Sequence, residues 1–71
     1  MKWHEVFLVY DEIHGLRMVC GNRALATFKV REIAELEYGF NVDEEPLDYS
    51  GALSRYGWDG VAYWQKEIVY G

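Results

Sequence analysis

Apolar and polar residues alternate near both ends of the chain, a pattern typical of β-strands. Residues 2–10 predict a first strand in which both faces are apolar at the middle, so we expect it to be central in a sheet or covered on both sides. Residues 11–15 form a connection that ends in Gly15, and residues 16–20 predict a second strand. Together they predict a β-hairpin.

The middle of the chain changes to a helical period. Asn22 is a good N-cap and Gly39 a good C-terminal stop for a helix over residues 23–38. Lys29 and Glu37 interrupt its apolar arc, and Phe28 falls outside it. An alternative makes residues 26–30 a strand and begins the helix at residue 31. The residues of the predicted core face are Leu25, Ala26, Val30, Ile33, Ala34 and Leu36.

The second half of the chain opens with an acidic connection, residues 40–50, which contains the only proline and is expected to be an exposed loop. Residues 52–56 fit either one helical turn or a third strand. Residues 57–60, Gly-Trp-Asp-Gly, predict a turn. Residues 61–70 alternate well and predict the longest strand. The sum is a single α+β domain over residues 1–71, ββαββ or ββαβ, with one helix on one face of a small antiparallel sheet.

The size and composition set limits on stability and location. A chain of 71 residues buries only about 60% of its unfolded surface, so we expect marginal stability. Twelve aromatic residues are more than a small core holds, so several are expected at the surface. Cys20 is the only cysteine, which suits a buried thiol in a reducing cytoplasm. No segment resembles a signal peptide or reaches the ~20 apolar residues of a membrane span, so the expected location is cytoplasmic.

The charge of the chain is segregated. No Lys or Arg occurs between Glu32 and Ser54, although the chain has 7 bases and 12 acids and a net charge of −5. The rest of the chain has 5 acidic and 7 basic residues. Such a local negative field can orient a partner, and it disfavours direct binding to nucleic acid or an anionic membrane. The seven carboxylates of the stretch are Glu32, Glu35, Glu37, Asp43, Glu44, Glu45 and Asp48.

These carboxylates allow two interpretations. They are either a solvated surface that keeps the protein soluble, or a patch that docks on a basic groove and stands in for phosphates. Two of them lie in the last turn of the predicted helix, where the macrodipole disfavours anions, which points to function. Trp58 lies in the predicted turn and is expected to face solvent as an interface anchor. The predicted protein-binding residues are Glu35, Glu37, Asp43, Glu44, Glu45, Asp48, Tyr49, Tyr56, Trp58 and Asp59.

The sequence offers little for catalysis or for cofactors. It has no nucleophile elbow and no phosphate-cradling glycine loop. The spacing of Asp11, Glu12 and His14 matches no zinc motif, and the acids at 43–48 lack the glycine-bearing loop of an EF-hand. We therefore expect no enzyme activity, no cofactor and no metal. A small metal protein that uses Asp11, Glu12 and His14 stays as a third hypothesis.

The chain resembles the small acidic proteins that phages and mobile elements make against host defences, such as anti-CRISPR proteins. The resemblance lies in the length, the carboxylates from Glu32 to Asp48, and the aromatic segment of residues 58–70. It implies a stoichiometric inhibitor that binds a nuclease complex at its basic nucleic-acid site. The leading hypothesis is therefore a non-enzymatic protein-binding module whose partner has a basic surface. The alternative is a homodimeric or accessory subunit that pairs through an exposed edge of the strand at residues 61–70.

Overall fold

The computed structural model describes residues 2–47, 54–58 and 61–70. The elements are β1 (Trp3–Asp11), β2 (Gly15–Cys20), α1 (Arg23–Tyr38), β3 (Arg55–Trp58) and β4 (Ala62–Tyr70). The strands form one antiparallel sheet in the order β2-β1-β4-β3, and α1 packs on one of its faces. The predicted α+β fold is confirmed, in its ββαββ form.

The hairpin of β1 and β2 turns through three residues, 12–14, and closes at the pair Asp11 and Gly15. Gly15 has φ 73°, a left-handed conformation that glycine adopts without a steric cost. Tyr10 pairs with Leu16 whereas Val9 pairs with Met18, so Arg17 is an extra residue on β2. This β-bulge turns the side chain of Arg17 toward the helix side of the sheet.

Helix α1 has the predicted limits, and the alternative strand at residues 26–30 is wrong. The side chain of Asn22 accepts a hydrogen bond from the Leu25 N–H at 2.8 Å, which caps the first turn. Gly39 ends the helix in a left-handed conformation with φ 72°, and its N–H donates to the carbonyl of Glu35.

The buried stripe of α1 is narrower than the sequence predicted. Only Ala26, Val30, Ile33 and Ala34 are buried, while Leu25 and Leu36 are 44% and 72% exposed. A single helix on a sheet contacts it along one line, and small residues at 26 and 34 let the helix approach closely. The assignment of Leu25 and Leu36 to the core is therefore wrong: both flank the contact and face solvent.

Trp64 lies at the centre of the core and is fully buried. Its Nε1 donates a hydrogen bond to the Thr27 hydroxyl at 2.9 Å, so the one polar atom of the indole is satisfied. The ring of Phe7 meets it edge-on at 5.1 Å, and the ring of Tyr56 stacks on it at 5.9 Å. These ring contacts join β1, β3 and β4 in one aromatic cluster, and the hydrogen bond to Thr27 connects the cluster to α1.

Trp58 is also part of the core, so the prediction that it faces solvent is wrong. It is 4% exposed and stacks on Phe40 with ring centroids 6.3 Å apart. The physical reason is that residues 55–58 are a strand, whose period of two places Tyr56 and Trp58 on the helix side together. Gly57 between them leaves no room for a Cβ, because the backbone of Ala62 and Tyr63 lies against it.

Strand β4 is central, so the predicted exposed edge is wrong over its first half. It pairs with β1 along its whole length and with β3 over Ala62–Gln65. The edge strands among the described residues are β2 and β3. Residues 3–6 of β1 and 67–70 of β4 extend past both of them as a two-stranded ribbon, here called the β1–β4 ribbon.

The two faces of the sheet differ in cover. Phe7, Val9 and Asp11 of β1 are buried under α1, whereas Val6, Leu8 and Tyr10 on the other face are only half-buried. We call this second face the open sheet face. The prediction that β1 is central is confirmed, but α1 covers only one face of this strand. The apolar residues of the open sheet face are Val6, Leu8, Tyr10, Leu16, Val19, Tyr63 and Val69.

Candidate functional site

A groove of about 290 Å³ lies between the outer side of α1 and the segment that follows the helix. Phe28, Leu36 and Val42 supply the apolar part of its lining. We call it the acidic groove, because two of its three charged residues are carboxylates. Its lining consists of Phe28, Arg31, Glu32, Glu35, Leu36 and Val42.

The helical period brings the groove residues together. Phe28, Glu32, Glu35 and Leu36 are separated by four, three and one positions, so they share the side of α1 that faces away from the sheet. Phe28 is 58% exposed and Leu36 is 72% exposed. Two large exposed apolar side chains that line one groove mark a binding surface more often than isolated ones do. The sequence signal for this site was Phe28, which did not fit the core stripe.

The carboxylates of the groove are weakly engaged within the protein. Glu32 lies 3.9 Å from Lys29, and Asp43, whose side chain is 93% exposed, lies 3.9 Å from Arg31. Exposed pairs at this distance contribute little free energy. Glu35 has no ion pair among the residues that the structure describes. Glu44 and Glu45 follow Asp43 on the same segment and are exposed, so we call Asp43, Glu44 and Glu45 the acidic rim.

Glu37 does not belong to this surface, although the sequence placed it there. Both of its oxygens accept hydrogen bonds from Arg17 at 3.0 Å, on the side of the helix that faces β2. These bonds lower the pKa of Glu37. α1 has no basic residue in its last turn, and Arg17 supplies the missing cation from the neighbouring strand. Glu37 is therefore paired within the fold.

Tyr56 is half-buried and is not the exposed anchor that the sequence predicted. Its ring stacks on Trp64 in the core, and its hydroxyl accepts a hydrogen bond from Arg31 at 3.2 Å. The side chain thus links the core to a residue that lines the acidic groove, and helps to hold Arg31 in place. Three other predicted binding residues, Asp48, Tyr49 and Asp59, lie outside the described residues.

A second polar cluster surrounds the buried carboxylate of Asp11, at the end of β1. Its Oδ1 accepts hydrogen bonds from the backbone N–H groups of Ile13 at 2.9 Å and His14 at 2.7 Å. Its Oδ2 accepts from Arg17. The Tyr38 hydroxyl donates to Oδ1 at 3.2 Å and accepts from the Ile13 N–H at 3.4 Å. Asp11 therefore joins the hairpin turn to the end of α1.

The pKa of Asp11 reports this environment. Burial alone raises it, but the hydrogen bonds from Arg17, His14 and Tyr38 outweigh burial and hold the pKa of Asp11 well below its ordinary range. The Nδ1 of His14 lies 3.2 Å from each carboxylate oxygen, so it carries the proton in that contact. Burial raises the pKa of Tyr38, whose hydroxyl stays protonated as a donor.

This cluster places Asp11, His14 and Glu37 with ligand atoms within 4.8 Å of one another, as a metal site would. Arg17 bonds to both carboxylates, so a metal ion would have to displace a guanidinium from the position between them. Glu12, the other acid of the metal hypothesis, is exposed and outside the cluster. Arg17 with Asp11 and Glu37 therefore forms a structural ion-pair cluster, which connects the hairpin turn to the end of α1.

No family model, no curated protein and no solved structure matches this chain. The part of the chain that the structure describes contains no helix long and apolar enough to cross a membrane.

Proposed function

We propose that this protein is a binding module that docks its acidic groove on a basic surface of another protein. The observation that carries the proposal is the exposure of Phe28 and Leu36 between carboxylates that have no strong partner among the described residues. Apolar side chains at the centre of a surface with a charged rim are the usual composition of a protein–protein interface.

The charges of the groove determine the chemistry of the partner. Glu32, Glu35 and the acidic rim give five carboxylates against the two cations Lys29 and Arg31. A partner with Lys or Arg side chains around an apolar contact complements this surface. Such a partner approaches faster at low salt, because the field of the acidic side extends about 30 Å at 10 mM ionic strength and about 8 Å at 150 mM.

Basic surfaces of this kind are common where proteins bind nucleic acid. We propose further that the partner is a nucleic-acid-handling complex and that the module occupies its basic site as an inhibitor. In that case the module and the nucleic acid compete, and excess nucleic acid releases the module. A partner that binds both at the same time would contradict the inhibitory step and leave the docking step intact.

The docking step is tested by capture from a bacterial lysate with matched baits. Glu35→Lys reverses one charge in the groove, and Glu12→Lys makes the same change at an exposed residue of the hairpin turn. We expect the first bait to lose the basic proteins that the wild type captures, and the second to keep them. Equal capture by both variants would show that the groove is not the docking surface.

The apolar part of the groove has an equally close control. Leu36 is 72% exposed and Ile13, in the hairpin turn, is 73% exposed. Leu36→Ser removes the apolar contact without a change of charge, and Ile13→Ser makes the same change outside the groove. We expect at least about a tenfold loss of affinity for the captured partner from the first and none from the second. Titration by isothermal calorimetry measures the difference.

A further inference from the structure

The open sheet face departs from the usual pattern of a two-layer α+β protein. When one face of an antiparallel sheet is packed and the other meets water, the strands alternate apolar and polar residues. Here β1 places Val6, Leu8 and Tyr10 on the uncovered face. On the flanking strand β2, Leu16 is 52% and Val19 is 59% exposed. The face has the composition of a core that lacks its second layer.

The charge of this face is balanced. Among the described strand residues, the Arg, Lys, His, Asp and Glu side chains on this face are Arg55 on β3, Glu67 on β4 and His4 on β1. With His4 neutral they sum to zero, although the whole chain carries −5. The guanidinium of Arg55 lies over the ring of Tyr63 at 4.5 Å. Two copies of this chain repel one another through their acidic sides, and the open sheet face is a surface through which they can meet without that repulsion.

The β1–β4 ribbon also indicates that the open sheet face lacks a second layer. Its residues 3–6 and 67–70 pair with each other but have no further neighbouring strand among the described residues. A two-stranded ribbon is marginally stable alone in water. It nevertheless exposes apolar residues, with Val69 on the open sheet face at 38% and Trp3 on the opposite face at 58%. A second layer over the sheet would also cover Val69 and support the ribbon.

An interface of ordinary size would take up a modest share of this chain's surface. A specific interface buries about 800 Å² on each partner, which is about a sixth of the 4612 Å² that this chain exposes. The molecule measures 42 × 25 × 17 Å, and the open sheet face is one of the two broad faces of its two-layer arrangement. Homodimer interfaces are also more apolar than most other protein interfaces, and the open sheet face is rich in apolar residues.

We propose that the open sheet face is the interface of a homodimer, in which a second copy of this chain supplies the missing layer. The two sheets pack face to face and leave both acidic grooves outside the interface. This proposal does not depend on the partner of the acidic groove, and either proposal can fail while the other holds. It also differs from pairing through the edge of β4, because the contact is between side chains and not between backbones.

Sedimentation velocity across the micromolar range tests the proposal. We expect the wild type to move from 8.3 kDa toward twice that mass as concentration rises. Val19→Lys places a cation on the face of each copy, so it acts twice in a two-fold interface and should weaken dimerisation at least about tenfold. Ile13→Lys adds the same charge at an exposed apolar residue outside the face and should dimerise like the wild type.

A second variant tests the case in which the dimer interface does not include β2. Val69→Lys places the charge on the β1–β4 ribbon, and it should also weaken dimerisation. A single 8.3 kDa species throughout the concentration range would overturn the proposal. A dimer that survives both Val19→Lys and Val69→Lys would overturn it as well, because the interface would then lie on another surface. Added salt should leave the apolar dimer intact or strengthen it; dissociation by salt would contradict the proposal.

Discussion

The acidic groove and the open sheet face are two exposed apolar surfaces on opposite sides of one small core, and they differ in charge. The groove sets Phe28 and Leu36 among carboxylates that lack strong partners in the part of the chain that the structure describes. The open sheet face sets Leu8 and Val19 in surroundings with no net charge. Apolar exposure alone does not distinguish one kind of partner from another. In the two proposals, the charge around each surface assigns the groove to a basic partner and the open sheet face to a second copy of the acidic chain.

The two surfaces also differ in how the fold holds them. The open sheet face is carried by paired backbones, since each of its central strands has hydrogen-bonded neighbours. The groove depends on how α1 is fixed to the sheet, which involves the Trp64 contact with Thr27 and the Asp11 cluster. Substitutions in the core should therefore remove both surfaces, whereas substitutions at the helix end should affect the groove more.

The largest expected effect comes from Trp64→Ala. Removal of a buried Trp costs about 3–5 kcal/mol, which is comparable to the whole stability expected of so small a domain. We expect an unfolded protein by circular dichroism, and the loss of both partner capture and self-association. A folded variant that keeps either function would show that the surface concerned does not depend on this core.

A smaller effect should distinguish Asp11 from Glu37, although both bond to Arg17. Asp11→Ala removes the buried acceptor that a guanidinium, a tyrosine hydroxyl and two backbone N–H groups share, and should cost roughly 2–4 kcal/mol of unfolding free energy. Glu37→Ala removes one end of a partly exposed pair and should cost clearly less than Asp11→Ala. Urea denaturation at neutral pH measures both. Equal losses would contradict the central position of Asp11.

Acid should destabilise the protein through the same cluster. The pKa values of Asp11 and Glu37 are lowered in the folded state, so the unfolded chain binds more protons at low pH. Their contribution is fully present above the ordinary carboxyl pKa values and is lost as pH falls below about 4. Urea denaturation at a series of acid pH values should show this loss, and Asp11→Asn should show less of it. An identical pH dependence in that variant would rule out Asp11 as its main source.

The smallest effect separates stability from function within the groove. Glu35 lies in the last turn of α1, where the helix macrodipole disfavours an anion. Glu35→Gln should therefore stabilise the fold by about 0.3–0.5 kcal/mol while it weakens partner capture. The dimer should be unchanged. If the variant gains stability and binds the captured partner like the wild type, Glu35 is only a solvated residue.

Much of the fold follows from local patterns. The helix limits at Asn22 and Gly39, the first hairpin and the long C-terminal strand were all predictable, because caps, turns and periodicity act over a few residues. The charge segregation was also visible, and Glu35, Asp43, Glu44 and Glu45 are indeed exposed.

The errors arose where distant parts of the chain meet. Nothing local shows that β3 places Trp58 under the helix, or that a bulge at Arg17 withdraws Glu37 from the acidic surface. Leu36 satisfies the helical period of the core, but the sheet is too narrow a contact to cover it. The open sheet face likewise required the strand order, because only the order shows which faces of β1 and β4 stay uncovered.

The most direct test of two separate surfaces is a methyl NMR dilution series on the wild-type protein, followed by addition of the captured partner. Dilution should shift the methyl signals of Leu8, Val19 and Val69 and leave those of Leu36 and Val42 in place. Partner addition should shift Leu36 and Val42 and leave the first group unchanged. If both treatments move the same methyl groups, or if dilution moves none, the assignment of one surface to self-association and the other to a basic partner is wrong.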